Sequence, residues 1–252
     1  MTAMRESGCR RGSGPQATIR ACERLNSSGN GSSRSGLRVE LGHRLRFLGR
    51  FLRDPNTVGA VAPSSRALAQ AVCEPLRRAP RPASVLEVGA GTGPMTRYLG
   101  TILEEDDELD ICEIQDDFAD ILERDVLTEI HFASLVAQGR IRLFRLPVQM
   151  LPNDKQYDFV ISGLPLTAFE LRDVEAVFDV IRRCLKPGGV FSYFEYIGLR
   201  ATSRTFALGK RRARIRAVSA YLTSTLRRHR FATTVVFRNF PPAHAHHLRF
   251  DR

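Results

Sequence analysis

The chain has 252 residues, 43% of them hydrophobic, a net charge of +11 and a mean hydropathy of −0.20. This is enough apolar material for a buried core, which excludes wholesale disorder, a collagen-like chain and a disulfide scaffold. The charge is uneven: residues 1–84 hold 15 Arg against 5 acids (+10), residues 85–199 hold 10 basic residues against 21 acids (−11), and residues 200–252 hold 13 against 1 (+12). Basic flanks suit a polyanionic partner, either nucleic acid or an anionic membrane surface. An arginine-rich codon bias explains Arg over Lys but not the absence of acids from the flanks.

Residues 1–36 are rich in Gly, Ser and Arg and are predicted to be a disordered basic leader. Over Arg38–Arg53, Leu41, Leu45, Leu48 and Leu52 recur at helical spacing with Phe47 and Phe51 alongside. Arg44, Arg46, Arg50 and Arg53 fall mostly outside that stripe. Such a basic amphipathic helix either lies in a membrane interface or packs its stripe on the core. Asp54-Pro55 ends it, and Ser64 or Ser65 caps a further helix reaching about Arg78. Residues 37–82 therefore read as an N-terminal amphipathic helix with a cap segment, and 83–252 as one catalytic domain.

From Ala83 the pattern becomes strand–helix alternation. "SVLEVG", "ELDICEI", "RIRLFRL", "YDFVISGLP" and "VFSYFEY" read as strands. "PMTRYLGTIL", "QDDFADILERDVL" and "LRDVEAVFDVIRRCL" read as helices. This implies a mostly parallel α/β sheet covered on both faces. A long basic helix over Thr205–His229 and two more strands, "FATTVVFRNF" and "HAHHLRF", suit an antiparallel C-terminal edge. Cys9, Cys22, Cys73, Cys112 and Cys184 are widely spaced with no C-x-x-C pair, which favours a reducing compartment over disulfides or a zinc site. No apolar run approaches the ~18–20 residues of a spanning helix.

The chemical signal is Glu87-Val88-Gly89-Ala90-Gly91-Thr92-Gly93, between a strand and a helix. Glycines there let the backbone turn sharply and approach a ligand at the carboxyl edge of a parallel sheet. Pro94 stands where a dinucleotide fingerprint needs glycine, so the loop does not match the pyrophosphate pattern. Glu113 ends the next strand, where a carboxylate accepts hydrogen bonds from ribose hydroxyls. Together these features describe a nucleoside whose 5′ substituent is not pyrophosphate, as in S-adenosylmethionine. The segment resembles the class I S-adenosylmethionine-dependent methyltransferases, with a Rossmann-like sheet. The resemblance implies Glu87 near the methionine amino end, Gly89, Ala90, Gly91, Thr92 and Gly93 as the cofactor loop, and Glu113 on the ribose. Where many members carry an acid for the adenine amine, this chain has Gln149, an amide substitute; Ser162 completes the expected cofactor set.

After the fourth strand comes Ser162-Gly163-Leu164-Pro165-Leu166, in place of the N/D-P-P-Y turn of base-amine methyltransferases. Ser for the amide and Leu for the aromatic leave an apolar mouth, against an rRNA adenine N6-methyltransferase, the alternative reading. The segments "FLRDPNTVGAVAPSSRALA", "VLEVGAGTG", "SGLPL", "LKPGGVFSYFEYIG" and "VVFRNFPPA" resemble the bacterial phospholipid N-methyltransferases, whose relatives also methylate ornithine lipids. The resemblance implies a monomeric cytoplasmic enzyme held at the inner face of an anionic membrane, without nucleic acid. It implies successive methylation of an amino-lipid headgroup lined by Leu164, Pro165, Glu195 and Tyr196. Phosphatidylethanolamine and ornithine lipid both stay open, and the extra carboxylate of Glu195 suits the second. Tyr196 and Ser162, both at strand carboxyl ends, are expected to orient or desolvate the amine. No metal is expected: His244, His246 and His247 read as an exposed strand face without a carboxylate neighbour, and Glu104–Glu108 as a solvated loop.

Overall fold

The computed structural model describes residues 64–152, 155–197 and 209–250. The expected leader, the helix over 38–53 and the start of the 205–229 helix lie outside the described residues. Helix α1 is Arg66–Arg77, and Ser65 caps it by accepting the Leu68 N–H on Oγ at 3.2 Å. Strand β1 (Ser84–Val88), helix α2 (Pro94–Gly100), β2 (Glu108–Cys112) and α3 (Asp116–Ile121) follow. A π-turn over Leu122–Val126 continues α3. The predicted helix at Pro94 thus ends sooner than its apolar pattern suggested. Helix α4 (Ile130–Ala137) arises in a stretch that is apolar on most sides and so showed no helical stripe.

Strand β3 (Ile141–Phe144), a 3₁₀ turn over Val148–Met150 and β4 (Tyr157–Ser162) come next. A second 3₁₀ turn (Leu166–Ala168) leads to α5 (Leu171–Cys184), β5 (Leu185–Tyr196), α6 (Gly209–His229), β6 (Arg230–Val236) and β7 (Ala243–Arg249). The seven strands form one sheet in the order β3-β2-β1-β4-β5-β7-β6. The pairs among β1 to β5 are parallel, while β7 runs antiparallel to both β5 and β6. Strand order reverses between β1 and β4, and the crevice beyond the carboxyl ends at such a point is where ligands of α/β sheets bind.

Strand alternation separates two cores. Helix α1 buries Leu68, Val72 and Leu76 on the face carrying Val85, Ile111, Phe159 and Ala245, so it seals the sheet. The other face packs Leu86, Val160, Phe191 and Tyr193 against Phe178 and Ile181 of α5 and Val218 and Leu222 of α6. The acidic loop before β2 is not wholly solvated. Asp107 is buried, accepting the N–H groups of Ala83 at 2.7 Å and Glu104 at 2.8 Å and pairing with Arg81. Turning back under β1 leaves backbone donors that need a carboxylate, which composition alone does not reveal.

Among the described residues no helix is long and apolar enough to cross a membrane, and no cluster of three His, Cys, Asp or Glu is arranged to hold a metal.

Candidate active site

The glycine loop links β1 to α2 at the switch point. Gly91 has φ +59°, and a Cβ placed there would meet nothing within 4 Å, so the loop backbone faces open space. Its N–H donates to Glu113 Oε2 at 2.8 Å, while the Gln115 N–H donates to Oε1 at 2.9 Å. Both carboxylate oxygens thus take backbone N–H groups, and the lone pairs that remain are available to ligand hydroxyls. Burial raises the Glu113 carboxyl above its ordinary range, and the backbone N–H groups oppose that shift. Ala90 is buried and Thr92 exposed, with the Thr92 carbonyl accepting Arg97 Nη1 at 3.0 Å.

Glu87 lies buried beneath this loop. Its Oε2 accepts the Thr96 hydroxyl at 2.8 Å, whereas Oε1 is buried with no partner. Burial, with the Glu113 charge as a lesser cause, pushes the carboxyl up to about 8. Such a group favours a cationic ligand, because a nearby positive charge restores its ionised form. The open Gly91 backbone, the half-satisfied Glu113 and the unpartnered Glu87 oxygen fit a ligand with ribose hydroxyls and an ammonium or sulfonium group.

The loop after β4 closes against the glycine loop. The Gly163 N–H donates to Val88 O at 2.9 Å, and a Cβ built at Gly163 would overlap the Gly89 carbonyl oxygen. Leu164 leans on Gly89, where an added Cβ would come within 2.5 Å of Leu164 Cδ2. Ser162 is fully buried, and its Oγ accepts the Leu164 N–H at 3.2 Å. The hydroxyl therefore shapes the turn. Pro165 opens the 3₁₀ turn and Leu166 is buried below it. Gln149 sits half-buried in the 3₁₀ turn after β3, also at the carboxyl edge.

Ser162 and Tyr196 are not brought together. Ser162 pairs with Tyr193, which packs on the α5–α6 face, while Tyr196 packs on the α1 face with Phe194. Three residues along a strand reverse the side. The Tyr196 phenol is raised by burial, and a hydrogen bond with Ser64 opposes that rise. Glu195, two residues beyond Tyr193 on β5, does share the Ser162 face.

The histidines of β7 require a correction. His246 and His247 are buried, because β7 is interior, flanked by β5 and β6. A carboxylate does neighbour them: Glu195 Oε2 lies 3.7 Å from His246 Nε2, and His246 Nδ1 lies 2.9 Å from Thr233 Oγ1. On the other face His247 Nδ1 meets Ser192 Oγ at 2.8 Å, and burial with His246 nearby lowers its imidazole to about 4. Sequence reasoning missed the Glu195–His246 pair, because it depends on the antiparallel register of two strands. Thr96, the partner of Glu87, was missed as well; its place nine residues on, in the first turn of the following helix, was the available signal.

The methyltransferase-domain family matches residues 85–189. The ornithine lipid N-methyltransferase of Singulisphaera acidiphila is 31% identical over 148 residues, spanning 58% of this chain and 74% of that protein. Among solved structures, the N-methyltransferase NodS from Bradyrhizobium japonicum WM9 in complex with S-adenosyl-L-homocysteine is 14% identical. It covers 75% of this chain and 89% of its own, with a TM-score of 0.53. An S-adenosylmethionine-dependent methyltransferase from Clostridium acetobutylicum is 11% identical over 82% of this chain and 99% of its own, with a TM-score of 0.55. These two structures share the fold. The chain belongs to the class I S-adenosylmethionine-dependent methyltransferases.

Proposed function

We propose that this methyltransferase transfers methyl groups to the amine of a membrane lipid headgroup, with ornithine lipid as the first candidate acceptor and phosphatidylethanolamine as the second. The observation that carries the reading is the turn Ser162–Leu166. Its serine hydroxyl is occupied by the Leu164 N–H, and its leucines pack on Gly89 and into the core, so it offers neither an amide nor an aromatic to a nucleobase. The likeness to an ornithine lipid N-methyltransferase supports the same acceptor class.

Bound S-adenosylmethionine supplies an electrophilic methyl group on sulfur. Glu113 would hold the ribose hydroxyls, the Gly89–Gly93 backbone would receive the methionine portion, and Glu87 would supply negative charge to the cationic end. Gln149 is the residue for the adenine amine. Leu164 and Pro165 wall the acceptor channel and exclude water, so alignment supplies much of the rate effect. Glu195 attracts and orients the headgroup ammonium. His246, 3.7 Å from that carboxylate and 2.9 Å from Thr233 Oγ1, holds Glu195 in position. The enzyme works at the cytoplasmic surface of an anionic membrane, consistent with flanks of +10 and +12.

Incubation with methyl-labelled cofactor and vesicles containing either lipid tests this. Label in the lipid fraction is expected, and label found only in RNA, or in neither lipid, overturns it.

A further inference from the structure

We infer that the turn between β6 and β7 is a membrane wedge that inserts Phe237 and Phe240 into the interfacial layer of an anionic bilayer, beside the substrate mouth. The inference rests on the reading that the acceptor is a membrane lipid. It begins from topology. Because β7 is antiparallel to β5 and β6 antiparallel to β7, β6 ends at the carboxyl edge of the parallel strands. The turn at 237–242 therefore stands at the same edge as the glycine loop and the turn after β4. The Ile197 N–H donates to Pro242 O at 2.7 Å and stitches the end of β5 to it.

The turn is pinned from inside. Asn239 is buried, its Oδ1 accepts the Ser65 N–H at 2.8 Å, and its Nδ2 donates to Pro241 O at 2.7 Å. With its centre so held, the side chains on either side project outward: Phe237 is 77% exposed and Phe240 78%. Neither ring belongs to a core cluster, so the fold gains nothing from them. Ile197, next to the turn, and Val235, near the end of β6, are also exposed. Scattered exposed apolar residues are ordinary, but several on and beside one turn that is held by the Asn239 hydrogen bonds suit an interaction surface.

Charge selects the partner. Arg238 lies within the turn, and the exposed Arg212 and Arg216 lie near the start of α6, which runs away from this same edge. No Asp or Glu occurs anywhere in residues 200–250. Glu170 pairs with Arg214 on α6, while the aromatic rings together with Arg238, Arg212 and Arg216 match the layered chemistry of an anionic bilayer surface, with hydrocarbon beneath phosphates. Ser64 hydrogen-bonds Tyr196 at this edge.

The chain contains no tryptophan, so Phe240→Trp installs a single emitter at the tip. It is to be mixed with vesicles of phosphatidylglycerol and phosphatidylcholine that contain no amino lipid, which removes substrate recognition from the readout. Blue-shifted emission and quenching by lipids brominated on their upper acyl chains are expected. In sedimentation with the same vesicles, the double variant Phe237→Ser/Phe240→Ser is expected to partition at least about tenfold less than the unaltered chain. Its melting temperature and its transfer to detergent-dispersed amino lipid should both be retained. An unquenched tryptophan, or a double variant that partitions like the unaltered chain, overturns the wedge. So does a blue shift that appears without vesicles and grows with protein concentration, because the occupant is then a second copy. Insertion without methyl transfer to any lipid upholds the wedge while the amino-lipid reading fails; transfer to vesicle lipid without insertion does the reverse.

Discussion

Gly163 and Gly89 meet backbone to backbone, so closely that a Cβ at Gly163 would overlap the Gly89 carbonyl oxygen. The loop after β4 is thereby keyed into the loop after β1, and the two halves of the site cannot move independently. Gly163→Ala must push the glycine loop aside, because its neighbour is backbone and not the end of a flexible side chain. Overpacking of this kind costs about 1–3 kcal/mol. Calorimetric titration is expected to show cofactor affinity at least about tenfold weaker, with a smaller change in melting temperature. An alanine variant with unchanged affinity would mean that the contact does not shape the cofactor loop.

Glu113 holds the loop and the ligand through the same carboxylate. Glu113→Gln keeps one acceptor oxygen but replaces the other with an amide that cannot accept the second N–H. Loss of charge-assisted hydrogen bonds of this type costs about 1.5–3 kcal/mol, so cofactor affinity should fall roughly 10- to 150-fold. Glu113→Ala should fall further. The measurement is again direct titration with cofactor.

Glu87 makes the site sensitive to pH. Its folded-state value of about 8 lies above the ordinary 4.5, so its contribution to stability is fully present below about pH 4.5 and is lost as pH rises through about 8. The melting temperature of Glu87→Gln should therefore gain on that of the unaltered chain between pH 5 and 9, roughly the span of this titration. Cofactor binding has the opposite dependence. A cationic ligand prefers ionised Glu87, so affinity should strengthen as pH approaches about 8 and then level off, and the glutamine variant should remove that slope. A slope unchanged in Glu87→Gln would assign the effect to another group.

Asp110 is the structural counterpart of these ligand-facing acids. Its buried carboxylate accepts Arg142 Nε at 2.8 Å and Nη2 at 2.7 Å, accepts Tyr157 Oη–H at 2.7 Å, and has Lys155 Nζ at 3.1 Å. Asp110→Ala leaves the buried Tyr157 hydroxyl without its acceptor and removes a shared carboxylate from Arg142 and from Lys155, which keeps Glu108 at 2.7 Å; an orphaned buried polar group costs about 1–3 kcal/mol. Arg142, Tyr157 and Lys155 hold the carboxyl below its ordinary range against burial, so the stabilisation is present at neutral pH and fades as pH falls through the acid range. Urea denaturation at neutral and acid pH reads both effects.

Glu195→Gln separates acceptor recognition from cofactor binding. The variant should lower kcat/KM for amino lipid by about tenfold or more, since an ammonium loses its charged partner, while cofactor affinity stays put. Equal loss of both would place Glu195 in the cofactor site instead.

The sequence by itself determined the class of fold and the cofactor loop. Glu87, Gly89, Gly91, Gly93 and Glu113 lie in one strand–turn–helix–strand stretch, where chain connectivity and glycine geometry leave few arrangements. The Ser65 cap and the apolar stripe of α5 were legible for the same local reason. Tertiary structure decided the rest. Ser162 and Tyr196 both end strands, yet face opposite sides because one step along a strand reverses a side chain. His246 is buried beside Glu195 only because β7 inserts between β5 and β6, and Asp107 and Asp110 are anchors only because distant donors converge on them. Such relationships depend on strand order and register, which are set by the packing of the whole sheet and leave no mark at any fixed spacing along the chain.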